Sequence, residues 1–227
     1  MNLETTMEKG ELRSLILYED ADLLVVNKPA GIPVVPDGWE TDSPCLVKML
    51  EEHLGKIWVI HRLDKVTSGV IVFACNAQAH RKMSMLFEGR QVSKAYHTIA
   101  KGVPAWDLHT ARHPLRSDAG HKHRTVVDSA RGKASETNFQ VLERFKGFSL
   151  LKAIPTTGRT HQVRVHIAAL GFPILGDSLY QAPGTELINR PALHAYSLEF
   201  QYEGNELAFS APYPADMEAA LKRIRAG

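Results

Sequence analysis

The sequence predicts an α+β protein built on a largely antiparallel sheet. Two observations carry this. Apolar runs of strand length recur along the chain, several joined by turn signals rather than by helices. Helical periodicity is confined to a few segments with clear start and stop signals, whereas a doubly wound parallel sheet would need helices between most strands.

Taken in order, Met1 to Gly10 is acidic and short of apolar side chains, so residues 1–12 read as a flexible leader and residues 13–227 as one domain. Leu23-Leu24-Val25-Val26 is a strand stopped by Asn27-Lys28-Pro29-Ala30-Gly31. Val70-Ile71-Val72-Phe73-Ala74 is another, launched by Gly69. Asn76 suits the N-cap of a helix from Ala77 to about Glu88, with Ala79, Met83, Leu86 and Phe87 on one face. Ser93 to Gly102 alternates as a strand that carries Tyr96, and further strands are expected at 136–143 and 148–154. A helix from Thr160 to Leu170 is stopped by Gly171 and Pro173. Leu193–Tyr202 and Glu206–Ser210 flank the hairpin signal Glu203-Gly204-Asn205, and Pro214 opens a closing amphipathic helix to Arg225.

Composition narrows the function classes. With 227 residues, 44% of them hydrophobic, the chain can bury a sizeable core. No run approaches the ~20 apolar residues of a membrane span and no signal peptide is visible, which gives the expectation of a cytoplasmic protein without a membrane partner. Cys45 and Cys75 form neither a CxxC pair nor part of a cluster, so both are read as reduced thiols. The net charge of +2 permits a nucleic-acid partner without demanding one. The charge is concentrated between residues 112 and 133, where Arg112, Arg116, Lys122, Arg124, Arg131 and Lys133 face only Asp118 and Asp128. That stretch reads as an exposed basic loop, either a solvated mobile connection or a strap on phosphates.

The most informative string is His61-Arg62-Leu63-Asp64-Lys65-Val66-Thr67-Ser68-Gly69. A tight turn carrying hydroxyls and ending in glycine can hold a carboxylate ionised, fixed in direction and within reach of a ligand. On spacing alone the same string also fits a surface ion pair that contributes little. A second string, Thr156-Thr157-Gly158-Arg159-Thr160-His161-Gln162-Val163-Arg164-Val165-His166, runs from a turn into a helix. It crowds Arg159, His161, Gln162 and Arg164 where free backbone N–H groups favour an anion, or it is a polar helix start packed by Val163, Val165 and Ile167. His161 and His166 lie on different helical faces and no carboxylate or cysteine completes a metal shell, so no catalytic metal is expected. Phosphate-binding, dinucleotide and serine-elbow motifs are missing, which leaves a reaction without a cofactor.

Together with Ile16-Leu17-Tyr18-Glu19-Asp20, Leu24 to Gly31, Tyr96, Pro173-Ile174-Leu175-Gly176-Asp177 with Tyr180, Leu193-His194-Ala195 and Phe209-Ser210-Ala211-Pro212, these strings resemble the RluA-type pseudouridine synthases over about residues 15 to 217. The resemblance implies a single domain whose mixed, mostly antiparallel sheet is flanked by helices and split by a cleft. It implies isomerisation of uridine to pseudouridine in RNA, with a ribosomal or transfer RNA stem-loop as substrate. By motif, Asp64 corresponds to the catalytic aspartate, Tyr96 to the active-site tyrosine and Arg164 to the arginine that pairs with the aspartate. Arg62 resembles a residue that enters the RNA beside the displaced base, and Leu175 an apolar wall of the pocket. Arg116, Lys122, Arg124 and Arg131 are expected to neutralise phosphates, with Arg159 and His161 adding to the RNA surface. Because the similarity begins near residue 15, RNA choice is expected to reside in the catalytic domain, acting as a monomer without an obligatory protein partner. Two other readings are a catalytically silent RNA-binding module and a hydrolase using Asp64 as base. Asp64, Tyr96 and Arg164 occurring together argue against the first, and the missing metal shell against the second.

Overall fold

Buried apolar strands organise the chain into two units, seen in a computed structural model that describes residues 9–36, 43–119, 124–180 and 184–227. The first unit runs to Val92 and takes back Ser197–Pro212; the second comprises Ser93–Tyr196 and Tyr213–Gly227. In chain order the elements are α1 (Lys9–Ser14), β1 (Ile16–Glu19), β2 (Leu23–Lys28), α2 (Leu46–Leu54), β3 (Trp58–Val59), β4 (Ser68–Ala74) and α3 (Ala77–Glu88). Then come β5 (Ser93–Lys101), β6 (Leu108–Ala111), β7 (Leu115–Ala119), β8 (Arg124–Val127), β9 (Thr137–Phe145), β10 (Phe148–Pro155) and α4 (Gln162–Ala169). β11 (Leu193–Tyr202), β12 (Asn205–Ser210) and α5 (Ala215–Ala226) complete the fold, and none of the described helices is long and apolar enough to cross a membrane.

In the first unit the strand order is β1-β2-β4-β11, with β12 also on β11 and β3 on β4. The pairs β1–β2, β2–β4, β3–β4 and β11–β12 are antiparallel. Leu23, Val25, Val70, Val72 and Ala74 pack with Ala79 and Met83 of α3. The alternate residues Leu24, Val26, Ile71 and Phe73 are buried as well, which is why these strands read as unbroken apolar runs rather than alternating ones. The cap at Asn76 forms as the sequence predicts, its side chain accepting from the Ala79 N–H at 2.9 Å. Glu203 and Gly204 both have positive φ (49° and 78°), so the hairpin closes through a two-residue turn whose twist matches the strands.

In the second unit the order is β11-β5-β10-β9-β6, with antiparallel β5–β10, β9–β10 and β6–β9 pairs. Ile99, Leu151 and Ala153 pack with Val163 and Ile167 of α4 and with Met217 and Leu221 of α5. α4 starts at Gln162, two residues later than predicted, because His161 adopts the left-handed conformation (φ 55°) and cannot be part of the helix.

Two expectations change. Residues 1–8 of the expected leader lie outside the described residues, but Lys9–Ser14 is helical and Leu12 is buried. The supposed loop between residues 112 and 133 contains a two-stranded antiparallel ribbon, β7–β8. Its order comes from tertiary contacts: Leu115 is buried beside Val165 and Tyr180, its backbone pairs with Lys133, and the Thr125 N–H donates to the Tyr180 hydroxyl at 3.0 Å. α2 and β6 were not expected; α2 turns Leu46, Met49 and Leu50 inward.

Candidate active site

In the first unit, Asp64 sits on a turn closed by the Thr67 N–H donating to the Asp64 carbonyl at 3.0 Å. Thr67 and Ser68 are buried and β4 follows at once, so the turn is anchored on its C-terminal side while Asp64 stays half-buried. Gly69 (φ 114°) takes a backbone conformation that side-chain-bearing residues avoid, and it pairs in register with Lys28. Lys28 is fully buried, and its ammonium donates to the carbonyls of Pro29 (2.9 Å), Ile32 (2.7 Å) and Lys65 (3.3 Å). The Gly31 N–H adds a 2.7 Å bond to the same Lys65 carbonyl, so Lys28 and Gly31 both hold the residue next to Asp64. His61 is structural. Its Nε2 accepts from the Val72 N–H at 3.2 Å, which puts the ring proton on Nδ1, and its ring stacks on Phe87. Arg62 is exposed.

In the second unit, Tyr96 lies on β5 opposite Ala153, half-buried against the core. Lys94 shares its strand face, and burial lowers the pKa of that ammonium. Arg164 is buried in α4 and forms a two-pronged ion pair with Asp177, Nε to Oδ2 at 2.7 Å and Nη2 to Oδ1 at 2.9 Å. Its guanidinium also stacks over the Tyr180 ring, 5.1 Å from the centroid. The Tyr180 hydroxyl is 2.9 Å from His161 Nδ1 and accepts from Thr125 of β8, so one tyrosine touches Arg164, the start of α4 and the basic ribbon.

The rest of the α4 start serves the fold. Gln162 donates to the Glu136 carbonyl and Thr137 Oγ1 and accepts from Thr157 Oγ1 and the Arg159 N–H, which satisfies its whole amide. One turn on, His166 lies 2.9 Å from Thr137 Oγ1 and 3.0 Å from the His113 carbonyl. Burial keeps its pKa below the usual imidazole value. Both polar side chains staple α4 to β9. Arg164 has an anionic partner within the protein itself, Asp177.

Among the RNA-binding candidates, Arg124, Arg131 and Arg159 are exposed, and Lys122 lies outside the described residues. Arg116 is engaged, its Nε 2.6 Å from Asp128, whose carboxylate is held below its ordinary pKa by the Arg131 N–H and by Arg116. Leu175 is in the core, bonded through its backbone to Ile99 and Ala192. Lys28, Asp177 and Tyr180 were present in the motif strings but carried no assigned role. The signal that marks them is burial of polar groups beside a distant partner.

A family model described as RNA pseudouridylate synthase matches residues 22–169. The chain belongs to the RluA-type RNA pseudouridine synthase family. It is 36% identical to the dual-specificity RNA pseudouridine synthase RluA of Haemophilus influenzae, over 86% of this chain and 91% of that protein. To a protein of Chlorobaculum parvum named only as an RNA pseudouridine synthase it is 39% identical, over 92% of this chain and 74% of the other. Among solved structures, human RNA pseudouridylate synthase domain containing 4 superposes with a TM-score of 0.78 at 27% identity, covering 94% of this chain and 95% of that one. RNA pseudouridine synthases are isomerases, and the mostly antiparallel α+β architecture is the one this family shares.

Proposed function

We propose that this RNA pseudouridine synthase converts particular uridines of a ribosomal or transfer RNA stem-loop, with Asp64 as the catalytic group. The observation that supports Asp64 is the anchored turn: Asp64 is half-buried on a backbone turn whose Lys65 carbonyl is held by Lys28 and Gly31, at the head of a buried strand. The reaction detaches uracil from the sugar, turns it, rejoins it through ring carbon 5 and removes the proton there. Nothing is gained or lost overall, so no co-substrate is consumed. The carboxylate serves either as a nucleophile at the sugar or ring, or as the base that begins an elimination. Arg164 stands by motif as the partner of Asp64. The target uridine is stacked in its RNA, so it has to be turned out at a cost of a few kcal/mol. Stacking on Tyr96, worth roughly 1–3 kcal/mol per base, offsets that cost. Arg62 fills the vacated stack, Leu175 walls the pocket, and Arg124, Arg131, Arg159 and His161 contact RNA, within a monomer in the cytoplasm.

The test is release of tritium from RNA transcripts labelled at uridine carbon 5. Asp64→Asn abolishes release while folding and RNA binding stay intact, and turnover by that variant removes Asp64 from the mechanism. Near-normal turnover by Tyr96→Phe excludes its hydroxyl as the base at carbon 5.

A further inference from the structure

A buried ion pair is a poor device for stability, since desolvation of both charges offsets their attraction. The Arg164–Asp177 pair is nonetheless almost completely enclosed, with side-chain exposures of 6% and 1%. Three features fix its geometry. The carboxylate grips the Nε/Nη2 edge of the guanidinium with two parallel bonds, which sets the plane of the group as well as its position. Tyr180 stacks on one face of that plane. Asp177 is itself immobilised: its N–H donates to the Ile174 carbonyl at 3.0 Å, and its carbonyl accepts from the Tyr180 N–H at 3.2 Å. The preceding residue has to be glycine, because Gly176 has φ 78° and a Cβ there would stand 2.2 Å from the Arg190 carbonyl oxygen.

From this we infer that Asp177 is a positioning residue for the isomerisation: it aims the guanidinium of Arg164, with Tyr180 as the floor, and so sets the rate of the chemical step without touching RNA. The inference rests on the reading of Arg164 as an active-site group. Asp177→Asn keeps the side-chain volume but places an NH2 against the guanidinium donors, whereas Asp177→Glu keeps the charge and lengthens the arm by one methylene.

The experiment measures single-turnover tritium release and RNA affinity with transcribed ribosomal and transfer RNAs labelled at uridine carbon 5, for wild type, Asp177→Asn, Arg164→Lys and the double variant. A displaced group of this kind costs on the order of 100-fold in rate, with affinity for RNA within about two-fold of wild type. The decisive comparison is the double variant, which is no more than about three-fold slower than Arg164→Lys alone if Asp177 acts through Arg164. Multiplying losses, or a loss that appears in affinity alone, overturn the proposal. If Asp177→Asn does not fold, Asp177→Glu carries the test: a slowed chemical step at unchanged affinity supports positioning, and a wild-type rate overturns it. Failure of both to fold leaves a purely structural pair and also overturns it. Absence of tritium release by wild type counts against the functional reading instead, because the Nε–H resonance of Arg164 in an arginine-labelled NMR spectrum reports the ion pair without activity. That resonance is protected from exchange in wild type and loses protection in Asp177→Asn.

Discussion

Replacing Lys28 with Met tests how the Asp64 turn is held. Met is of similar length and leaves no gross cavity, so the change isolates the charge and its donors. The substitution removes three charge-assisted bonds to the carbonyls of Pro29, Ile32 and Lys65. At about 1.5–3 kcal/mol each these are substantial, but removing them also relieves the several kcal/mol that burial of an ammonium costs. The net expectation is a loss of about 2–4 kcal/mol, which at a urea m-value of about 2–3 kcal/mol/M lowers the unfolding midpoint by about 1 M. Activity falls further than stability, because the Lys65 carbonyl adjoins Asp64 and a shift of about 1 Å costs on the order of 100-fold. Urea titration followed by fluorescence gives the midpoint, and tritium release at a urea-free, fully folded temperature gives the rate. An unchanged midpoint together with an unchanged rate would falsify the view that Lys28 supports the catalytic turn.

Gly176→Ala places a Cβ 2.2 Å from the Arg190 carbonyl at a positive φ. It is expected to destabilise the fold by about 2–3 kcal/mol, and a melting temperature equal to wild type contradicts this. Burial, with His194 and Lys152 nearby, lowers the His97 pKa from 6.5 to about 4, and the ring lies 2.5 Å from the Tyr213 hydroxyl. The unfolded chain therefore takes up this proton first, so stability is fully present above pH 6.5 and is lost as pH falls towards 4; His166 acts with the same sign. The part due to His97 is of order 2 kcal/mol after allowance for solvent screening. Urea midpoints measured at pH 7.5 and 4.5 show a smaller drop in His97→Gln than in wild type; equal drops refute the assignment. Neutralising Arg124 and Arg131 together weakens RNA binding and reduces the slope of log affinity against log salt by about two, whereas an unchanged slope removes the ribbon from the RNA footprint.

Much of the fold was legible because its signals are local. The strand at residues 23–26, the helix Ala77–Glu88 with its Asn76 cap and the Glu203-Gly204 hairpin each depend on periodicity or turn chemistry within a dozen residues. The ribbon β7–β8 was not, because its charged composition resembles a loop and its order comes from Leu115 and Thr125 meeting α4 and Tyr180. The start of α4 left two readings open for the same reason: the partners of Gln162 and Arg164, in β9 and at Asp177, lie outside the local string.

By itself, then, the amino-acid order determined the type of the elements with strong local signals, the motif that presents Asp64 and the family, since each is written in short strings of residues. Only the tertiary structure decided what the buried polar groups hold. Lys28 meets a carbonyl 37 residues away, His166 a hydroxyl 29 away and Arg164 a carboxylate 13 away. A charged or polar side chain enters the interior only where partners satisfy it, and those partners are supplied by the packing of distant segments, which no local pattern encodes.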